Sequence, residues 1–82
     1  MKLPAIRHLQ RHNSTAQIEK TIEVLESYCE LNSITDEELD VIGELITNLC
    51  GAQEVHQMIE DGMPERDAAR AFAQKVMGSI DS

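Results

Sequence analysis

Residues 35–62 read TDEELDVIGELITNLCGAQEVHQMIEDG, and the reading of that stretch decides the fold. Its start is specified three times over. Thr35 is placed to cap a helix, Glu38 completes a Thr-x-x-Glu capping box, and Ile34 and Leu39 are spaced as a hydrophobic staple. Asp36, Glu37 and Glu38 sit in the first turn, where the helix dipole favours negative charge. Gly62 stands where a left-handed C-terminal position is needed. Between these marks Ile42, Leu45, Leu49, Ala52, His56 and Ile59 recur at steps of three and four, a heptad-like seam that predicts one helix over 36–61. Gly51 lies inside it. A glycine in a helix interior costs about 1 kcal/mol relative to alanine, so Gly51 beside Ala52 marks a close approach of another helix; the alternative is a break there into two helices.

Working outward, Asn32 and Ser33 turn the chain into this helix. Before them Ser14 and Gln17 repeat the capping-box signature and open a helix over 15–31, with Ile18, Ile22, Leu25 and Cys29 as its buried stripe. Earlier still, Pro4 fits the first turn of a short helix over 4–12. After Gly62, Pro64 starts a last helix over 64–77, whose buried side is Ala68, Ala69, Phe72 and Val76 and which Gly78 ends, leaving a loose tail. The expected fold is all-α: one domain over 1–82, a small helical bundle of three main helices plus a short N-terminal one, with sequential helices as antiparallel neighbours.

Eighty-two residues make one core and no more. A chain of this size buries only a little over 60% of its unfolded surface. Two aromatic residues, Tyr28 and Phe72, leave the packing to aliphatic side chains. Small scaffolds of this kind are often completed by a second subunit, and a homodimer is expected here, with the long helix supplying much of the contact and Gly51 and Ala52 at a crossing.

The formal charge of −8 is unevenly spread. Residues 1–13 carry Lys2, Arg7 and Arg11 and no acid, whereas residues 14–61 carry twelve acids against Lys20 alone. A nucleic-acid binder needs a basic face for phosphates, and only a short basic tip exists here, so nucleic-acid binding is not expected. Glu19, Glu23, Glu26 and Glu30 fall at steps of four, three and four, stacking like charges along one line of a helix. This stripe reads as a solvated face, as a partner for Arg7 and Arg11 of the first helix, or as a contact for a basic protein. The N-terminus lacks the apolar run of a signal peptide, and no stretch approaches the roughly 18 apolar residues of a membrane span. The expected location is the cytoplasm, with Cys29 and Cys50 as reduced thiols rather than a disulfide.

Reactive residue types gather once, at Cys50, Glu54 and His56. Around them the chain faintly resembles the carboxymuconolactone decarboxylase and alkylhydroperoxidase D group, small helical proteins whose active helix carries C-x-x-C-x-x-x-H and ends at a glycine. Cys50 matches the second cysteine in its distance from Gly62. Thr47 stands at the first cysteine, Glu54 stands at the histidine, and His56 comes two positions late. The resemblance implies a thiol-dependent redox enzyme as the alternative function. His56 in the seam is read first as a satisfied core or interface histidine that fixes register. His8 and His12, four apart, share a helix face, but no carboxylate or thiol accompanies them for a metal.

Taken whole, the MKLP start, the ELDVIGELI and EVHQMIEDGMP runs and the GSID ending resemble a family of short bacterial proteins of unknown function, which implies an all-helical fold. The expected function is a non-catalytic protein–protein interaction module acting as a homo-oligomer. No catalytic, cofactor-binding or metal-binding residue is assigned.

Overall fold

In the computed structural model, which describes residues 2–81 with side chains through Val76, the chain forms four helices and, among the described residues, no strand: α1 (Leu3–His12), α2 (Thr15–Cys29), α3 (Asp36–Glu60) and α4 (Glu65–Asp81). Both capping boxes form. Ser14 Oγ accepts the Gln17 N–H at 3.2 Å while Gln17 Oε1 accepts the Ser14 N–H at 2.8 Å, and Thr35 and Glu38 repeat the exchange at 3.1 and 3.0 Å. Gly62 takes φ +106°, the left-handed turn that lets the chain leave α3.

Two boundaries differ from expectation. α2 stops at Cys29, because the Glu30 N–H turns back to the Ser27 carbonyl and a turn begins. α4 continues through Gly78 to Asp81; a lone glycine weakens a helix without ending it unless a left-handed turn follows. The expected tail side chains, Ile80 among them, lie outside the described residues.

α3 is the axle of the molecule. α1, α2 and α4 each pack on it, and α1 also touches α4. Bonds and contacts at successive levels give the directions. The Lys2 N–H donates to Asn48 Oδ1 at 3.0 Å, Ile6 lies on Gly51, and the Asn13 carbonyl lies 2.8 Å from His56 Nε2. α1 therefore runs parallel to α3. α2 runs antiparallel, with Leu25 beside Ile42 and Thr21 beside Leu45 and Leu49. α1 and α2, consecutive in sequence, are not the antiparallel neighbours expected of them.

The core is Ile6, Ile18, Leu49, Ala52, Val55, Ala68 and Phe72. Burial departs from the seam. Val55, outside the seam, is fully buried, whereas Leu45, within it, is 46% exposed. The reason is that, among the described residues, the contacts of α1 and α4 fall on α3 from Asn48 onward, whereas its earlier turns meet α2. Gly51 is a point of close approach, but within the chain: a Cβ there would lie 2.8 Å from Ile6 Cδ1 and 3.0 Å from Phe72 Cζ. Its expected place at a subunit crossing is thereby overturned, since α1 and α4 already fill it. Ala52, fully buried beside it, is likewise spent inside the chain.

Candidate functional site

The three reactive residues of α3 do not converge. At 100° per residue, Cys50 and Glu54 lie on one side of the helix and His56 on another. Cys50 is exposed, Glu54 accepts from Lys75 Nζ at 3.0 Å, and His56 Nε2 lies 2.8 Å from the Asn13 carbonyl. Because a carbonyl can only accept, His56 carries its proton on Nε2. The histidine thus pins the joint between α1 and α2 onto α3, a satisfied structural partner within one chain.

The acidic stripe also stands apart from α1. Arg11 donates to the Glu65 carboxylate instead, which holds that carboxyl below its usual range. Glu19, Glu23, Glu26 and Glu30 remain exposed, and Lys20 approaches Glu23 at 3.7 Å. The pairing of the stripe with the first helix fails because α1 packs on α3 and α4 rather than beside α2. His8 and His12 stack with ring centroids 4.3 Å apart, and among the described residues no cluster of three His, Cys, Asp or Glu side chains is arranged to hold a metal ion.

What the structure does gather is an apolar trough along the α2–α3 hairpin. One part, about 530 Å³, lies near the turn between Leu25 and Tyr28 on one side and Val41 and Ile42 on the other, with Glu37 and Glu38 at its tip. The next part, about 470 Å³, continues past Leu25 and Leu45 to Leu49 and is closed by Ala5, His8 and Leu9 of α1. Thr21, Leu25 and Tyr28 form one row on α2, and Val41, Leu45 and Asn48 one row on α3. By the same periodicity the four glutamates of the stripe point away from the trough. Its shoulders carry large apolar side chains in solvent: Val24 is 61% exposed, Val41 58% and Tyr28 43%.

Both ends of the trough are fixed by polar contacts. At the tip the Tyr28 hydroxyl donates to Glu38 Oε2 at 2.5 Å. That bond, helped by the N–H and hydroxyl of Thr35, keeps the Glu38 carboxyl below its usual range, and it raises the Tyr28 phenol in turn. At the other end Asn48, buried and polar, accepts the Lys2 N–H and holds the start of α1 in place. Sequence reasoning missed Asn48. Nothing separates it from the exposed Thr47 beside it, because its hydrogen-bond partner is 46 positions away. With Val41, Ile46 and Val55 flanking its seam, α3 carries an apolar band wider than one neighbouring helix covers, but which part of it stays open was hidden, since an apolar band reads alike whether or not a helix covers it.

Among the described residues no helix is long and apolar enough to cross a membrane. Comparisons with curated proteins and with solved structures returned no match, so the likeness to the carboxymuconolactone decarboxylase group gains no support. The overall resemblance read from the start, middle and end of the chain does: the model of a family of unknown function, DUF6952, matches residues 1–81, and the chain belongs to that family.

Proposed function

We propose that the chain is a non-catalytic protein–protein interaction module that acts as a homo-oligomer. One observation carries this reading. The folded chain exposes 5719 Å², whereas a compact monomer of this mass exposes roughly 4,900 Å². A surface of that size is ample for an interface of standard size, roughly 800 Å² per partner. It goes with a flat outline of 43 × 31 × 17 Å and with apolar side chains standing in solvent on the α2–α3 hairpin, the kind of patch that soluble monomers seldom leave open. In the same reading the protein works in the cytoplasm, where its free thiols, Cys29 and Cys50, stay reduced.

Light scattering on the folded chain at about 100 μM, a concentration at which even a micromolar dimer is assembled, tests the reading. A mass of twice 9.2 kDa or more is expected. The mass of a single chain would overturn it.

A second contact is favoured by the uncovered stripe of Glu19, Glu23, Glu26 and Glu30, four like charges on one line that a basic protein surface would offset. Binding of a lysine-rich peptide, lost on reversing Glu23 and Glu26 to Lys, is the expected result. Unchanged binding by the reversed chain removes this contact.

A further inference from the structure

We infer that the α2–α3 trough is the seat of a second copy, which docks its own hairpin face to face about a two-fold axis and completes a four-helix bundle. This rests on the homo-oligomer reading and names its surface.

The argument begins with what is missing. α3 has 25 residues, and α1 covers one of its faces only from the level of Asn48 onward. The stretch before Asn48, about 18 Å long at 1.5 Å per residue, has α2 on one flank and open trough on the other. Two antiparallel helices with an apolar groove along one side are half of a four-helix bundle. A second hairpin laid on that groove supplies the other half, and α1 at one end and α1 of the copy at the other set where it stops.

Charge distribution selects a copy of this chain over a basic helix. The acidic stripe of α2 points away from the trough, and the α2 row facing it, Thr21, Leu25 and Tyr28, carries no charge. Among the residues lining the trough the acids are Glu37 and Glu38, at its tip, and the exposed Glu44 stands on its outer flank. The opposite end is α1, whose ten residues include no acid, with Lys2 and the positive end of its dipole directed along α3 toward the trough. An axis between Val41 and Leu45 sets each tip against the other copy's α1. The face is thus complementary to itself, as a two-fold interface requires, and a cationic helix would meet matching charge at one end alone.

The test reads the wild-type chain first. Tyr28 is the single tyrosine, and the chain has no tryptophan, so tyrosine fluorescence reports from this face. Quenching by acrylamide is expected to fall as the protein is concentrated from dimer-poor to dimer-rich conditions. Equal quenching throughout, alongside a doubled mass, overturns the surface and leaves the homo-oligomer standing. A single-chain mass at every concentration overturns both. Leu45→Glu and Val41→Glu, at positions already exposed in the monomer, are then expected to weaken association by about a hundredfold with helical content retained, because each places a like charge beside the axis. Thr47→Glu, on the opposite side of α3, is expected to leave it within about twofold. A dimer that survives both Leu45→Glu and Val41→Glu excludes this face.

Discussion

The two ends of α3 are built differently. Its C-terminal half is held on two sides by side chains brought from far along the chain, Ile6 from α1 and Phe72 from α4, both meeting at Gly51. Its N-terminal half is held by neighbours in sequence: a capping box, a tight turn and the bond from Tyr28 to Glu38. One end is stabilised by buried apolar area, the other by local hydrogen bonds with apolar area left over. The lesson is that one regular helix can serve as core at one end and as an open surface at the other, with no change in its pattern.

The largest break in this comparison comes at the packed end. Phe72→Ala removes the anchor of α4 from a site with almost no exposure, and a loss of about 3–5 kcal/mol is expected, read from the midpoint of urea unfolding. The glycines of α3 make a sharper pair. A Cβ at Gly43 meets nothing within 4 Å, whereas one at Gly51 meets Ile6 and Phe72 at 3.0 Å or less. Gly43→Ala is expected to stabilise by about 0.5–1 kcal/mol from helix propensity alone. Gly51→Ala forfeits that gain to overpacking of about 1–3 kcal/mol and destabilises overall. Equal effects at the two sites would show that the ends do not differ in packing.

At the other end Thr35→Ala deletes the cap of α3 and is expected to cost about 1 kcal/mol. Hydrogen exchange should rise in the first turns of α3 and stay unchanged around Gly51. Smallest is the pH response of the Tyr28–Glu38 bond. The Glu38 carboxyl is lowered from 4.5, so its contribution is whole above that value and is lost as pH falls through the lower folded one. The Tyr28 phenol is raised from 10.0, so its contribution is whole below that value and is lost as pH rises through the higher folded one. Tyr28→Phe is expected to flatten both limbs of the pH–stability profile; a profile of unchanged shape would show that the bond carries no linkage.

The parts of this fold that could be read from the sequence are those whose cause lies within a few residues. Ser14 with Gln17, Thr35 with Glu38 and the left-handed Gly62 all sit where local chemistry put them, and the all-helical class follows. The parts that could not be read depend on partners far away. Gly51 announced a close approach without saying that Ile6 and Phe72 make it. His56 stood out as a polar residue in an apolar seam, but its acceptor is the carbonyl of Asn13, and a backbone carbonyl leaves no mark in a sequence. Asn48 gave no sign at all. The candidate surface was half visible: an apolar band wider than one neighbour would cover was there to see along α3, but which half stays open depends on where α1 begins.

The cluster at Gly51 has a consequence for the order of events during synthesis. Its members come from opposite ends of the described chain, so Ile6 leaves the ribosome long before Phe72 exists. At roughly 5–20 residues per second, the nascent chain spends several seconds with α1 unable to find its final seat. The α2–α3 hairpin ends at Glu60, twelve residues before Phe72, and so is synthesised about 1–2 s earlier. The segments that form the surface proposed for the second copy therefore exist before the last member of the packed end does.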